Sequence, residues 1–507
     1  MELKTDDFFV TASWGLLELL ADEMAAFGIE VTGRASAGLW VRTDMAGARG
    51  ICLWSRLASR VTLHLHRAPA DSADTVRRAA RAIPWEAWLR PEMTFRVRFQ
   101  GTHGDILSPR FGAQCVKDGL MERVRSQGGA EPIMTPDQPD LPIQARLRHG
   151  QLELGLDMAG VSLHQRGYRS EAGEAPLRET LAAGLLYRAG WPEVAKAGGD
   201  LVDPFCGSGT ILVEAAMMAT DTAPGLFRGF AFEGWPGAVT EGWPAQRAEA
   251  DERRKQGRAD SRSRFRGTDM DGRVVAAAWR NIERAGFSDR IHVEKCDVAE
   301  WRMPEKARTG LILTNPPYGN RLESRERAAE LFRILGERLR SEAVGWRFGL
   351  LLSESELGHQ LGLRSRRQYR FYNGSLETTL LLFDIRENEF RQPEQSLEEL
   401  RTGIPEPAIH NEERAAMLAN RLRKNRRHLR RRINQAPDES HCLYDADIPE
   451  YAVRITQTGE QLTVTEYAPP ASVPEKAARQ RLAEVLAVAP DVLGMDPGAV
   501  SYEYVRR

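Results

Sequence analysis

The chain is predicted to be α/β, with a central doubly wound parallel sheet of the Rossmann-like kind between an N-terminal α+β module and a small C-terminal α+β domain. Three observations carry this. Leu201-Val-Asp-Pro-Phe-Cys-Gly-Ser-Gly-Thr210 is a short apolar strand that ends in acid, turns through two glycines and runs into a helix rich in Ala, Leu and Val. Gly310-Leu-Ile-Leu-Thr-Asn-Pro-Pro-Tyr-Gly319 is a second buried strand with a stiff loop behind it. Between them strand and helix patterns alternate, which is how a parallel sheet with crossover helices is written.

Length and composition bound the rest. At 507 residues with 42% hydrophobic residues, a prior of about one domain per 150 residues predicts roughly three domains. The formal net charge is -1, so any nucleic-acid surface has to be local. The five cysteines, Cys52, Cys115, Cys206, Cys296 and Cys442, are scattered without a Cys-x-x-Cys pair, which argues against a disulfide framework or a zinc site and for a reducing compartment. The acidic start Met-Glu-Leu-Lys-Thr-Asp-Asp does not read as a signal peptide, and no apolar run approaches membrane-spanning length. The expectation is a cytoplasmic protein without membrane or metal.

In the first third, Phe8-Phe-Val-Thr, Ile29-Glu-Val-Thr, Leu39-Trp-Val-Arg, Val61 to His66 and Thr94 to Phe99 read as strands. Helical spacing runs from Gly15 to Phe27 with Gly28 as the stop, from Ala46 to Leu57, from Ala73 to Ile83 and from Phe111 to Arg125. Arg96 and Arg98 fall on one strand face and Lys117, Arg123 and Arg125 on one helix; such faces suit phosphates. His64 and His66, two apart on a strand, are expected to point the same way, but no third ligand lies nearby, and ordinary strand histidines are the better reading.

Pro142 to Arg148 and Gln151 to Asp157 form a strand pair turning at His149-Gly150. A helix from Glu174 to Arg188, with Pro176 suited to its start, reads as a pocket wall. After the glycine turn come a Gly- and Trp-rich insert (Pro224 to Trp243) and a charged helix, Ala245 to Arg258. Arg264 to Asp271 is the second strand, Arg273 to Ala285 a helix, and Arg290 to Asp297 the third strand. In this reading Asp203, Pro204, Cys206, Gly207, Gly209 and Thr210 cradle a nucleoside cofactor, with the Thr210 hydroxyl capping the next helix. Asp269 takes the ribose hydroxyls and Asp297 accepts from the adenine amine.

The loop Asn315-Pro316-Pro317-Tyr318 carries the catalytic expectation. A delocalised exocyclic amine is a poor nucleophile. If the Asn315 side-chain oxygen and the Pro316 carbonyl accept its two N–H bonds, they stabilise the charge that develops as it attacks a sulfonium methyl. Pro317 holds Pro316 extended, and Tyr318 stacks on the flipped base. Together with the glycine turn this implies methyl transfer from S-adenosyl-L-methionine to a planar amine. A dinucleotide oxidoreductase would need a third glycine in the turn, and a P-loop enzyme a Gly-Lys-Ser/Thr; neither is present.

From Asn388 through Pro407 the chain reads as a linker. Asn411 to Arg432 is a helix whose run of Arg421, Arg423, Lys424, Arg426 and Arg427 favours phosphate binding over mere solvation. Tyr451 to Ile455 and Gln461 to Tyr467 form a hairpin, and Pro474 to Val488 a helix.

Phe8 to Met24, Cys52 to Arg60 and Phe111 to Asp118 resemble the corresponding segments of THUMP-domain RNA methyltransferases, whose module binds structured RNA. The pairing of glycine turn and Asn-Pro-Pro-Tyr resembles class I S-adenosylmethionine-dependent methyltransferases of the amino-methylating type. Leu163-His-Gln-Arg-Gly-Tyr-Arg169, Gly173-Glu-Ala-Pro-Leu-Arg178 and Phe232-Glu-Gly-Trp235 are similar to the 23S rRNA guanine-N2 half of the bifunctional bacterial large-subunit methyltransferases. Ala419 to Lys424, Leu443 to Tyr451 and Glu466 to Pro470 resemble the small domain opening their guanine-N7 half. This sequence stops at Arg507 before a second glycine turn or catalytic motif, so the resemblance implies no second activity. It implies a THUMP-containing module over 1–160, a methyltransferase domain over 161–388, a linker over 389–410 and a basic helix with a small domain over 411–507. The expected substrate is 23S rRNA or a large-subunit assembly intermediate. A tRNA guanine-N2 enzyme and a non-catalytic RNA-binding factor are the alternatives; oligomeric state is left open.

Overall fold

The computed structural model describes residues 6–505 except 91, 170–176, 237–239, 305–306, 318–321, 354, 375, 391–404, 437, 468–472 and 474. The chain divides into two compact units, Met1–Arg391 and Gln392–Arg507.

The first unit opens with a mixed sheet of β1 (Asp6–Thr11), β2 (Glu30–Ala35), β3 (Gly38–Thr43), β4 (Arg60–Pro69), β5 (Thr94–Gln100), β6 (Ile133–Met134), β7 (Leu141–Arg148) and β8 (Gln151–Asp157), in the order β2-β3-β1-β4-β8-β7-β5-β6. Three of its helices start at side-chain caps. Asp44 accepts from the Gly47 N–H ahead of Met45–Trp54, Ser72 and Thr75 form a reciprocal capping box ahead of Ala73–Arg81, and Ser108 with Pro109 opens Pro109–Ser126. His149 and Gly150 both take positive φ, 49° and 70°, the twist that a two-residue hairpin between β7 and β8 needs. A register shift between His64 and His66 breaks the strand alternation, so the expected shared direction of these two rings does not follow. Among the described residues no group of three or more His, Cys, Asp or Glu side chains could hold a metal.

The second sheet follows in the same unit: β9 (Leu201–Asp203), β10 (Phe265–Asp269), β11 (Ile291–Lys295), β12 (Leu311–Thr314), β13 (Arg347–Leu352), β14 (Arg367–Asn373) and β15 (Leu376–Asp384), in the order β11-β10-β9-β12-β13-β15-β14. The first five run parallel; β15 pairs antiparallel with β13 and with β14. The order reverses at β9 and β12, so their carboxyl ends flank the switch point where such sheets bind ligands. Helices Thr210–Ala219 and Gly272–Arg284 cross between the parallel strands. The closing strands β13 to β15 go beyond the sequence expectation. Phe348 to Leu352 is a short apolar run that periodicity cannot tell from helix, and β14 is a mostly polar strand at the sheet edge.

One core cluster runs from Phe8, Leu16 and Leu20 of the first sheet through Leu181 and Leu185 to Leu212, Leu313 and Phe371 of the second. The opposite face is covered by Phe332, Leu335 and Leu339 over Ile312, Phe348 and Leu350. The second unit is a sheet of β16 (Ser440–Asp445), β17 (Val453–Thr458), β18 (Gln461–Tyr467) and β19 (Val500–Val505), with helices Glu412–Gln435 and Glu475–Leu493. Its buried Glu484 accepts from Arg414 at 2.8 Å and the Tyr451 hydroxyl at 2.7 Å. No helix among the described residues is long and apolar enough to cross a membrane.

Candidate functional site

β9 is only three residues long and wholly buried, so Asp203 is carried into the centre of the sheet. Its Oδ1 accepts from the Phe205 N–H at 3.1 Å and from the Thr314 hydroxyl at 2.6 Å, which pins the end of β9 to the end of β12. Burial pushes this carboxyl up to about 7, against the pull of those two donors. The turn is then held from β10: the Cys206 N–H donates to the Thr268 carbonyl at 2.8 Å, and the Gly207 N–H to Asp269 Oδ2 at 3.1 Å. Burial also drives the Cys206 thiol well above its usual value, so it stays protonated and supplies no nucleophile.

Gly207 and Gly209 have φ of 52° and 82°, a region that side chains rarely adopt. A Cβ on Gly207 would meet no atom within 4 Å, so the glycine's open side faces the crevice and backbone can approach a ligand there. Gly209 is the N-cap of Thr210–Ala219, whose N-terminus therefore points its free N–H groups and dipole at the same place. Thr210 does not act as that cap. It is the first helical residue, and its hydroxyl accepts from Arg169 Nη2 at 2.6 Å.

The acids line up less uniformly than the sequence suggested. Asp269 ends β10 and binds its own turn through Oδ1, 3.0 Å from the Asp271 N–H. β11 stops at Lys295, two residues before Asp297, which is exposed and accepts from the Ala299 N–H at 2.9 Å. Pro204 lies in the turn after β9, its carbonyl 3.1 Å from the Thr268 hydroxyl. Asn315 follows β12 directly, half-buried, with Pro316 buried and Pro317 exposed; Tyr318 lies outside the described residues. Glycine turn, Asp269 and Asn315 thus gather at the carboxyl ends of adjacent strands. An open backbone cradle, a helix N-terminus and an acid at the second strand are the donors and acceptors a nucleoside-sulfonium cofactor needs.

Three residues around the turn were not anticipated. Asn281, fully buried, donates to the Ser208 carbonyl at 3.1 Å. Arg169 joins the Thr210 hydroxyl to the Leu177 carbonyl at 2.7 Å and lies 3.4 Å from Glu179. Arg166 lies 3.5 Å from Glu214 of the same helix and donates to the Arg56 carbonyl at 2.6 Å. Arg56 in turn reaches the Thr222 carbonyl, and its N–H donates to Glu23 at 2.9 Å. The only sequence signal for these arginines is the segment Leu163 to Arg169, which carried a resemblance but no role.

The basic residues divide by their partners. Arg96 and Arg98 are exposed on β5; burial, then Arg60 and Arg96, hold Arg98 below its usual value. Lys117 is half-buried on its helix. Arg123 is paired with Glu86, its Nε at 3.2 Å, so a phosphate would have to displace a carboxylate there. In the second unit Arg421 pairs with Asp447 at 2.8 Å and Arg426 donates to the Leu493 carbonyl at 2.5 Å. Arg423, Lys424 and Arg427 stay exposed on that helix.

Family models match three segments: an RlmL ferredoxin-like domain at 7–62, a THUMP domain at 70–157 and an RMKL-like methyltransferase domain at 166–381. A solved structure of a methyltransferase-type protein complexed with SAH is similar with TM-score 0.67 and 26% identity, over 75% of this chain and 98% of that one. Fold and site therefore define an S-adenosylmethionine-dependent class I methyltransferase with a THUMP module. The ribosomal RNA large subunit methyltransferase K/L of Marinobacter nauticus is 46% identical over 97% of this chain and 67% of its own length. That of Chromohalobacter salexigens is 44% identical over 98% of this chain and 68% of its own. The chain belongs to the ribosomal RNA large subunit methyltransferase K/L family.

Proposed function

We propose that this chain methylates the exocyclic N2 amine of a guanine in 23S rRNA, either free or within a large-subunit assembly intermediate. The observation that carries the reading is the adjacency of Asn315-Pro316-Pro317 to the glycine turn, fixed by the Asp203–Thr314 hydrogen bond between neighbouring strands. S-adenosyl-L-methionine bound at Asp203, Pro204, Cys206, Gly207, Gly209, Asp269 and Asp297 supplies an electrophilic methyl group. Asn315 and the Pro316 carbonyl accept the two N–H bonds of the target amine, aim its lone pair and stabilise the positive charge that nitrogen acquires. Pro317 stiffens the loop, and Tyr318 stacks on the base. The amine proton leaves after transfer, so no strong base is needed. The resemblance of residues 163–178 and 232–235 to the guanine-N2 half of the family favours guanine over adenine, and the THUMP module favours RNA over DNA. Arg96, Arg98, Lys117 and the exposed basic residues of Glu412–Gln435 are assigned to phosphate contact, Arg123 only after Glu86 is displaced.

The test is to incubate the protein and tritiated S-adenosyl-L-methionine with unmodified 23S rRNA, tRNA or DNA and to identify the labelled nucleoside. N2-methylguanosine from 23S rRNA alone is expected. Label in tRNA, or as N6-methyladenosine in DNA, overturns the substrate; cofactor binding without label in any of them overturns the activity.

A further inference from the structure

Where the N-terminal sheet meets the second one, a cleft of about 680 Å³ is lined by Ser13, Trp14, Ser59, Arg178 and Tyr372. That volume lies in the range of roughly 300–1,000 Å³ typical of ligand clefts. Trp14 is 53% exposed, although the chain on its C-terminal side is tightly anchored. Gly15 has φ of 88°, a Cβ there would stand 2.5 Å from the Arg370 carbonyl, and Leu16 is fully buried. The indole is thus presented from a fixed backbone. It meets Tyr372 at 5.2 Å between centroids with the rings nearly perpendicular, and the Tyr372 hydroxyl donates to Glu377 at 3.0 Å. Leaving so large an apolar surface in water is unfavourable unless something covers it.

Beside it arginines outnumber acids, and Glu377 itself lies 3.9 Å from Arg370. Arg178 is exposed and joins no ion pair among the described residues. His164 is held down at about 4, by burial first and then by Arg178, Arg166, Arg169 and Arg228. Arg228 directs its donors to the carbonyls of Ala159, Val161, Ser162 and Gln165 rather than to a carboxylate. An aromatic platform next to an arginine in a positive field matches an unpaired nucleotide, which offers a base face and a phosphate together. A duplex keeps its base faces stacked and offers none. The cleft is also wired to the cofactor side: Arg178 follows Leu177, whose carbonyl accepts from Arg169, and Arg169 also holds Thr210 at 2.6 Å.

We propose that this cleft binds an unpaired nucleotide of the RNA near the target, its base stacked on Trp14 and its phosphate on Arg178. The inference rests on the RNA reading above and adds to it a second point of attachment, one that sets how far from the pocket the substrate strand is held. Its role is positioning, so it acts on substrate affinity and not on the transfer step.

The experiment uses the full chain with unmodified 23S rRNA and measures steady-state methylation for wild type, Trp14→Leu, Trp14→Phe and Arg178→Met, with cofactor binding by calorimetry. Loss of one stacked base is expected to raise KM for RNA about tenfold or more in Trp14→Leu. Its kcat and cofactor affinity should stay near wild type, and Trp14→Phe should recover most of the loss. Arg178→Met should raise KM and flatten its salt dependence. Wild-type KM in both Trp14→Leu and Arg178→Met overturns the cleft while leaving the methylation reading intact; so does an equal loss in Trp14→Leu and Trp14→Phe, which marks a packing role. If wild type methylates no RNA, the functional reading fails instead. Anisotropy with a labelled single strand and its blunt duplex then decides the cleft: strand preference that Trp14→Leu abolishes supports it, and equal binding overturns it.

Discussion

Asp203 and Asn315 do different work a strand apart, and their variants separate accordingly. Asn315→Ala is expected to lower turnover by ~100-fold or more, the scale of losing a preorganised acceptor at a developing charge. Calorimetric titration with cofactor should stay near wild type, because Asn315 faces the amine in this reading. Asp203, besides its proposed place at the cofactor, can be tested through stability. Its carboxyl sits at about 7 in the fold against an ordinary value of 3.8, so the folded chain keeps a proton that the unfolded chain has released. Stability is therefore full below about pH 4 and declines as pH rises toward 7, by up to about 4 kcal/mol, then levels off. Asp203→Asn cannot ionise and still offers an oxygen to Thr314. Thermal midpoints at pH 5 and pH 8 should fall for wild type and hold for the variant; parallel curves would refute the assignment.

At the scale of elements, the helix Thr210–Ala219 is held by arginines from elsewhere in the chain: Arg166 of the same domain lies against Glu214, and Arg56 of the N-terminal module donates to the Met217 carbonyl. Arg166, only 3% exposed, lies against Glu214 and the Arg56 carbonyl. Removing one member leaves the other charge buried, so Arg166→Met is predicted to cost about 3–5 kcal/mol, read from a shifted urea midpoint. The turn feeding this helix gives a finer test. Gly207→Ala adds a methyl in open space but strains φ of 52°, a backbone cost of ~1–2 kcal/mol. Its larger effect should be weaker cofactor binding in calorimetry, since the methyl enters the crevice. These elements also mark how much could be read in advance. The glycine turn and the Asn-Pro-Pro loop were legible because backbone chemistry writes itself into local sequence. Most strands and helices up to β12 lie within a few residues of their expected ends, but β6 and the helix Trp191–Lys196 were not expected, and the helix read from Glu174 starts at Glu179, its expected first residues 174–176 lying outside the described residues; β11 is shorter because Cys296 and Asp297 already belong to the turn. Arg166, Arg169 and the Trp14–Tyr372 contact were not legible as a site. Their meaning depends on partners tens to hundreds of residues away, and nothing local distinguishes a bridging arginine from a solvated one.

For the molecule as a whole, near-neutral net charge hides an uneven surface. Binding to RNA should depend steeply on salt even though the formal charge is -1, because counterions are released locally at each phosphate contact. Replacing Arg423, Lys424 and Arg427 together by glutamine should weaken RNA binding without changing which nucleotide is methylated. It should also reduce the slope of log affinity against log salt by roughly 2, at about 0.7 per single-strand contact. Filter binding across a salt series checks both. An unchanged slope would show that this helix face is merely solvated.

The bond from Thr314 to Asp203 has a consequence for descent. With cofactor and amine bound as proposed, it ties the holder of the methyl donor to the holder of the amine on two strands lying side by side, away from the outlying modules. Drift, insertion or exchange in the outlying modules can then redirect such an enzyme to another nucleotide without retuning its chemistry, so a lineage can change its address while inheriting its reaction intact.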